Sequence, residues 1–154
     1  MKANKIALMS LLLWVLTIGV FAWFFVRGNT AAGTDNRTAI VLQSSERDLI
    51  LSEMRTLLSA LQGILEGANQ GDVKRIAQSS RSVGMAMAAD ENPLFMAKLP
   101  LAFKTLGMSV HQDMDEIANA AEGGKPVPEL LKMASSSLRK CVTCHAAWQI
   151  KTSD

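Results

Sequence analysis

Residues 45–68 have the sequence SERDLILSEMRTLLSALQGILEGA, in which apolar side chains recur at intervals of three and four. This spacing places the apolar side chains on one face of an α-helix, with Ser45 as its N-cap. The apolar set comprises Ile50, Leu51, Met54, Leu57, Leu58, Leu61, Ile64 and Leu65. Because one apolar stripe has to be buried against other elements, the segment predicts a domain of packed helices.

Three further helical segments follow at the same periodicity, and turn-forming residues separate them. Asp72 is a suitable cap for the second, and Asn92-Pro93 and Gly123-Gly124 are breakers between the segments. The predicted helices cover residues 72–91, 100–122 and 129–148. Strand-like alternation is not apparent, and the connections are short enough for antiparallel neighbours. We therefore predict an all-α fold, an antiparallel up-down-up-down four-helix bundle over residues 45–154.

The N-terminus carries a 21-residue run without charge, residues 6–26. At roughly 1.5 Å per helical residue this run spans about the 30 Å of a bilayer core. Lys2 and Lys5 precede it and aromatic residues crowd its far end, the pattern of a single-pass helix with a cytoplasmic N-terminus. Residues 1–27 are thus predicted to be a membrane anchor, and residues 28–44 a flexible linker.

A cleaved secretory signal is the competing interpretation of the same segment. Signal peptides have a shorter apolar stretch, usually 7–15 residues, and end at a small-residue cleavage site. Thr30-Ala31-Ala32 is a poor version of such a site. Both interpretations predict that the domain is exported across the membrane.

Composition excludes nucleic acid as a partner. Three of the 16 basic residues precede Ala31, so 13 remain in the rest of the chain against 14 acidic residues. This near-neutral domain lacks the clustered basic face that nucleic-acid binding requires.

Residues 141–145, Cys-Val-Thr-Cys-His, contain both cysteines of the chain and match the haem c attachment signature Cys-x-x-Cys-His. On one helical turn, two thiols can reach two vinyl groups of one haem while His145 ligates the iron. Two alternatives remain open: Cys141 and Cys144 as a disulfide or redox pair, and a zinc site. A structural disulfide would leave His145 without a role, and a redox pair would normally sit at a helix start beside a βαβ pattern, which the sequence lacks. A zinc site lacks its second half, because only His111 remains.

A single such motif on the last of four helices resembles the class II c-type cytochromes, the cytochrome c′ family. The resemblance covers about residues 38–154 and includes Trp148, an aromatic residue three positions after the histidine. It implies one covalent haem c in a four-helix bundle, on the periplasmic side of a bacterial inner membrane.

The other side of the iron has three candidate arrangements. In an up-down-up-down bundle the start of the first helix lies beside the end of the last, which brings Met54 level with His145. The family similarly uses a first-helix residue on the distal face, and methionine there gives a six-coordinate iron. His111 is the rival ligand, and an open distal site is the third arrangement. Arg55 and Arg139 are candidates for contacts with the haem propionates.

The function expected from these features is electron transfer by a membrane-tethered c-type cytochrome, with redox proteins of a respiratory or similar chain as partners. The alternative is a five-coordinate haem protein that binds or senses nitric oxide or carbon monoxide. No catalytic constellation is recognisable, so the chain is predicted not to be an enzyme. The sequence leaves open whether it forms a homodimer or a subunit of a larger membrane complex.

Overall fold

The computed structural model describes residues 2–89 and 92–153, with side chains from residue 4 onward. Met1 and Asp154, the outer limits of the predicted anchor and domain, lie outside the described residues, as does the predicted end of the second helix at 90–91. Most of the described chain is helical, as predicted.

The first helix, α1 (Lys2–Arg27), is long and apolar enough to cross a membrane. All of its described side chains are exposed to solvent in the isolated chain. A signal sequence would meet the same criteria of length and composition. The prediction of one N-terminal apolar helix is therefore confirmed, whereas its orientation across the membrane stays a prediction.

Three long helices of the domain match predicted helices to within two residues at each end, and the second predicted helix, 72–91, is broken. The elements are α2 (Ser44–Gln70), α3 (Val73–Arg81), a short 3-10 helix (Met85–Ala88), α4 (Pro93–Lys98), α5 (Leu101–Glu122) and α6 (Val127–Ala147). α2 begins after Gln43 rather than Ser45, because the Gln43 backbone N–H donates to the Glu46 carboxylate over 2.9 Å. Asp72 caps α3 as expected, accepting a hydrogen bond from the Arg75 backbone N–H.

The second predicted helix is broken into α3, the 3-10 helix and α4, and a side chain from α5 explains the first break. The Asp115 carboxylate accepts a hydrogen bond from the Met85 backbone N–H over 2.8 Å and one from Arg81 over 2.9 Å. It lies where a side chain at Gly84 would project. Because the Met85 N–H donates to Asp115, it cannot donate to the Arg81 carbonyl as it would in a continuous helix. The helix therefore ends at Arg81.

A three-stranded sheet, absent from the prediction, lies beside the helices. Its strands are β1 (Thr30–Ala32), β2 (Thr38–Leu42) and β3 (Trp148–Thr152), in the order β1-β2-β3. β1 and β2 pair antiparallel, and β2 and β3 pair parallel with Ile40 opposite Ile150. Residues 28–44, predicted as a flexible linker, therefore contain two paired strands. The strands are too short for a recognisable alternation, and β2 finds its parallel partner at the opposite end of the chain.

Two apolar clusters form the core. The larger joins α2, α3, α5 and α6, and its largest fully buried side chains are Ile64, Ile76, Met114, Ile117 and Leu130. The smaller joins the sheet, the start of α2 and α4 through Ile40, Leu42, Ile50, Phe95 and Leu99. Helix α2 contacts α3, α3 contacts α5, and α6 contacts both α5 and α2.

The start of α2 is tied to the end of α4 by an ion pair between Glu46 and Lys98. The hydrogen bond from Lys98 holds the pKa of the Glu46 carboxyl below its ordinary value. A carboxyl whose pKa is lowered by folding stabilises the fold above its unfolded pKa, and this contribution is lost as the pH falls through the folded pKa.

We expect Glu46→Gln to lower the free energy of unfolding at pH 7 by about 0.5 kcal/mol, as for a partly exposed ion pair. The difference from the unsubstituted protein should shrink below about pH 5, as the pH falls through the lowered folded-state pKa of Glu46, and should be much smaller at about pH 3 than at pH 7. Urea unfolding followed by circular dichroism at both pH values measures this difference. Glu116→Gln, on the exposed face of α5, is the control and should change little. A Glu46→Gln effect that is the same at both pH values would contradict the ion-pair explanation.

Candidate functional site

The Cys-x-x-Cys-His segment forms the last turns of α6, directly before the chain enters the sheet. Cys141 and Cys144 are one helical turn apart, so both thiols lie on one side of the helix. The helix ends at Ala147 because Trp148 adopts an extended conformation and pairs with Thr38 of β2. The Trp148 ring packs edge-on against Phe103 of α5, with ring centroids 5.8 Å apart.

A contact from the start of the domain also holds the end of α6. The Arg37 guanidinium donates a hydrogen bond to the His145 backbone carbonyl over 3.2 Å and forms an ion pair with Asp35. Asp35 in turn accepts a hydrogen bond from the Gln149 side chain. The hairpin that follows α1 thus positions the backbone of His145.

An apolar cleft of about 140 Å³ lies between α2, α4, α5 and α6, and side chains of both core clusters line it. Five of the predicted site residues are among its lining residues: Met54, His111, Cys141, Cys144 and His145. The structure therefore brings together the motif on α6, the predicted distal methionine on α2 and the rival histidine on α5.

The predicted propionate contacts, Arg55 and Arg139, do not line the cleft. Both side chains are exposed, and Arg139 donates a hydrogen bond to the Ser136 hydroxyl over 2.9 Å. Two lysines line the cleft instead, Lys104 and Lys140. Lys104 lies on α5 and Lys140 directly precedes Cys141 on α6, whereas Arg55 on α2 and Arg139 on α6 point toward solvent.

Lys140 is fully paired, and Lys104 is not. The Lys140 ammonium forms an ion pair with Asp113 over 2.7 Å and donates to the Ser109 carbonyl over 3.1 Å. The Lys104 ammonium is buried without a hydrogen-bond partner among the described residues, 4.1 Å from the centre of the Phe25 ring. Burial lowers the pKa of Lys104. Sequence reasoning missed this residue, because a lysine beside the apolar Phe103 looks like any exposed helix lysine.

His111 is buried and hydrogen-bonded in a way that sets its tautomer. Its Nδ1 lies 2.9 Å from the Val83 carbonyl oxygen, and a carbonyl can only accept, so Nδ1 carries the proton. In the neutral ring, Nε2 then keeps its lone pair, as in histidines that ligate metals. His111 therefore combines a structural hydrogen bond with a nitrogen that remains able to ligate.

Both cysteines are free thiols and both are partly buried. Burial raises the pKa of Cys141, and burial together with the neighbouring Cys141 raises the pKa of Cys144 to about 11. Reactive redox cysteines have the opposite property, a lowered pKa. Among the residues that the structure describes, no group of three or more His, Cys, Asp or Glu side chains is arranged to hold a metal ion.

The chain has no significant match to a protein-family model, a curated protein or a solved structure. Its function therefore has to be inferred from the motif and the cleft. The resemblance to class II cytochromes rests on residues 141–145, on Trp148 and on the position of the motif in the last helix.

We expect slow alkylation of Cys144 in protein produced without haem. At neutral pH a thiol with a pKa of about 11 has about a hundredfold less thiolate than one with a pKa of 9, and thiolate is the reacting form. Its rate with iodoacetamide, followed by mass spectrometry of the peptides, should therefore keep rising with pH well above 9. Free cysteine in the same buffers is the control. Alkylation faster than free cysteine at pH 7 would favour the redox-pair interpretation instead.

Proposed function

We propose that the chain is a membrane-tethered c-type cytochrome that transfers electrons on the periplasmic side of a bacterial inner membrane. It would hold one haem c through thioether bonds to Cys141 and Cys144, with His145 as the proximal iron ligand. The observation that carries the proposal is the Cys-x-x-Cys-His turn beside an apolar cleft that Met54 also lines.

The properties of the cleft fit a haem in three respects. Its walls are apolar, as the porphyrin ring requires, and two free thiols lie on one side of α6 at its border. The unpartnered Lys104 ammonium provides a positive charge for a propionate, because an anion in the cleft would supply the partner that this group lacks. When bound, the haem would supply a one-electron iron couple.

The walls of the cleft would have to separate when a haem is attached. About 140 Å³ is smaller than the roughly 300–1,000 Å³ of typical ligand sites. Three of the lining side chains are the methionines Met54, Met96 and Met108, which are unbranched and can repack at low cost. The partly buried methionines are thus suited to make room for the ring.

The protein side chains would have separate roles around the iron. The two thiols fix the ring, His145 provides a nitrogen ligand, and the apolar walls keep water away. Met54 is our proposed sixth ligand, because a thioether favours Fe(II) and keeps the coordination similar in both redox states. His111 remains the rival, since its Nε2 has a lone pair and its side chain lines the same cleft.

The helix contacts support the antiparallel four-helix bundle that the resemblance implies. The contacts of α2 with α3, α3 with α5, α5 with α6 and α6 with α2 form the closed ring expected of such a bundle. Lys2 and Lys5 favour a cytoplasmic N-terminus and a periplasmic domain. A tether of this kind raises the effective concentration of the domain near membrane-bound redox partners. The proposed role is electron transfer rather than catalysis.

Covalent attachment is the first consequence to test. Expressed together with a cytochrome c maturation system, the full-length chain should keep its haem through acid-acetone extraction, since thioether bonds survive this treatment. Replacing both Cys141 and Cys144 by alanine should remove all covalent haem, measured by haem staining and intact mass. His111→Ala is the control and should retain the mass of one haem. An unmodified mass for the unsubstituted protein would refute the proposal.

The sixth ligand distinguishes electron transfer from gas binding. With Met54 on the iron, the ferric protein should show a weak methionine-to-iron charge-transfer band, and the ferrous protein should resist carbon monoxide. Met54→Ala should abolish the band, lower the reduction potential and admit carbon monoxide, while Met108→Ala, another cleft methionine, should change none of these properties.

Two other results would change the assignment. Loss of the low-spin spectrum in His111→Ala, but not in Met54→Ala, would identify His111 as the ligand and predict a lower potential. A high-spin spectrum and immediate carbon monoxide binding in the unsubstituted protein would favour the gas-binding function instead.

A further inference from the structure

The joint between α1 and the domain is closely packed. Gly28 has a positive φ of 65°, and a Cβ on it would lie 2.5 Å from the Pro100 nitrogen and 2.6 Å from the Lys98 carbonyl oxygen. The Asn29 backbone N–H donates to the same Lys98 carbonyl over 2.7 Å. The chain therefore leaves α1 in direct contact with the end of α4, where only glycine fits.

The Asn29 residue also fastens this joint to the sheet. Its side-chain amide donates to the Val41 carbonyl over 2.8 Å, and its own carbonyl accepts from the Val41 backbone N–H over 2.8 Å. β1 begins at the next residue. Between the apolar helix and the folded domain there is thus no segment free of backbone or packing contacts that could act as a hinge.

The C-terminal end of α1 carries side chains that favour the membrane interface. Trp23 and Phe25 are aromatic, and the Arg27 guanidinium lies 5.8 Å from the centre of the Trp23 ring. The Lys104 ammonium lies over the Phe25 ring. Since Lys104 is in the first turn of α5, this turn and the adjoining α4 lie at the depth of the headgroups when α1 spans a bilayer.

Two exposed leucines lie on these same elements. Leu94 on α4 is 77% exposed, and Leu101 at the start of α5 is 38% exposed. When exposed leucine side chains beside a membrane-spanning helix move from water into the interface, the free energy of the system falls. The contacts of α1 with α4 and α5 bring both elements next to the span.

We propose that α4 and the first turn of α5 rest on the outer surface of the lipid bilayer, with Leu94 and Leu101 in the headgroup region. This inference rests on the part of the proposed function that keeps α1 as an uncleaved anchor, and not on the haem. The bilayer surface is the partner that fits, because this face continues directly from the membrane-spanning helix. The anchor then fixes the orientation of the domain as well as its location.

This orientation has a consequence for the cleft. Phe95 and Met96 on α4 and Phe103 on α5 line the cleft and belong to the elements that rest on the bilayer. That side of the cleft is therefore held close to the lipid surface. A redox partner reaching it would be one that is itself at or in the membrane.

Photo-crosslinking to lipid tests the proposal on the full-length chain in lipid nanodiscs. p-Benzoyl-phenylalanine is incorporated in place of Leu94 in one variant, Leu101 in a second and Leu65 in a third. Leu65 is the matched control: it is an exposed leucine, 51% exposed, but it lies roughly 30 Å along α2 from Ser44. After irradiation, mass spectrometry counts the chains that carry a covalent lipid.

We expect several-fold more lipid adduct from the Leu94 and Leu101 positions than from Leu65. Equal adduct yields at all three positions, or crosslinks from Leu94 to a second copy of this chain, would overturn the proposal. The intact mass distinguishes a wrong orientation of the domain from a cleaved first helix. A mass without α1 would show that the segment is a cleaved signal and not an anchor. A covalent haem and a covalent lipid add different masses, so the lipid adduct can be counted whether or not a haem is attached.

Discussion

The parallel pairing of β2 with β3 is the constraint on which the rest of the domain depends. It joins the segment that follows α1 to the segment that follows Cys-x-x-Cys-His. Because Trp148 is drawn into the sheet, α6 ends two residues after His145, and Arg37 from the neighbouring hairpin binds the His145 carbonyl. The proposed haem-binding turn is therefore fixed by both ends of the domain.

The cleft exists because the apolar core is divided into two clusters. The helical cluster and the cluster under the sheet each bury their own side chains, and the space between them is lined by partly buried residues such as Met54 and Phe103. Interiors are normally packed without such gaps, since each void costs stability. An apolar gap beside two free thiols is what a covalently attached planar ring would fill.

The same sheet couples the cleft to α1. Gly28 and Asn29 hold α1 against the end of α4 and against β2, and Lys104 contacts both the cleft and Phe25 of α1. The first helix, the sheet and the cleft thus form one continuous set of contacts. A tether through a flexible linker would leave the direction of the cleft undefined, whereas these contacts fix it relative to α1.

The sequence by itself determined the apolar first helix, the helical periodicity of the domain and the residue types of the candidate site, because each depends only on spacing along the chain. Tertiary structure alone decided the sheet, the break after Arg81 and the replacement of Arg55 and Arg139 by Lys104 at the cleft. The break depends on Asp115, and β2 finds its partner in β3. Those interactions join residues that are far apart in sequence, and local periodicity contains no information about such pairs.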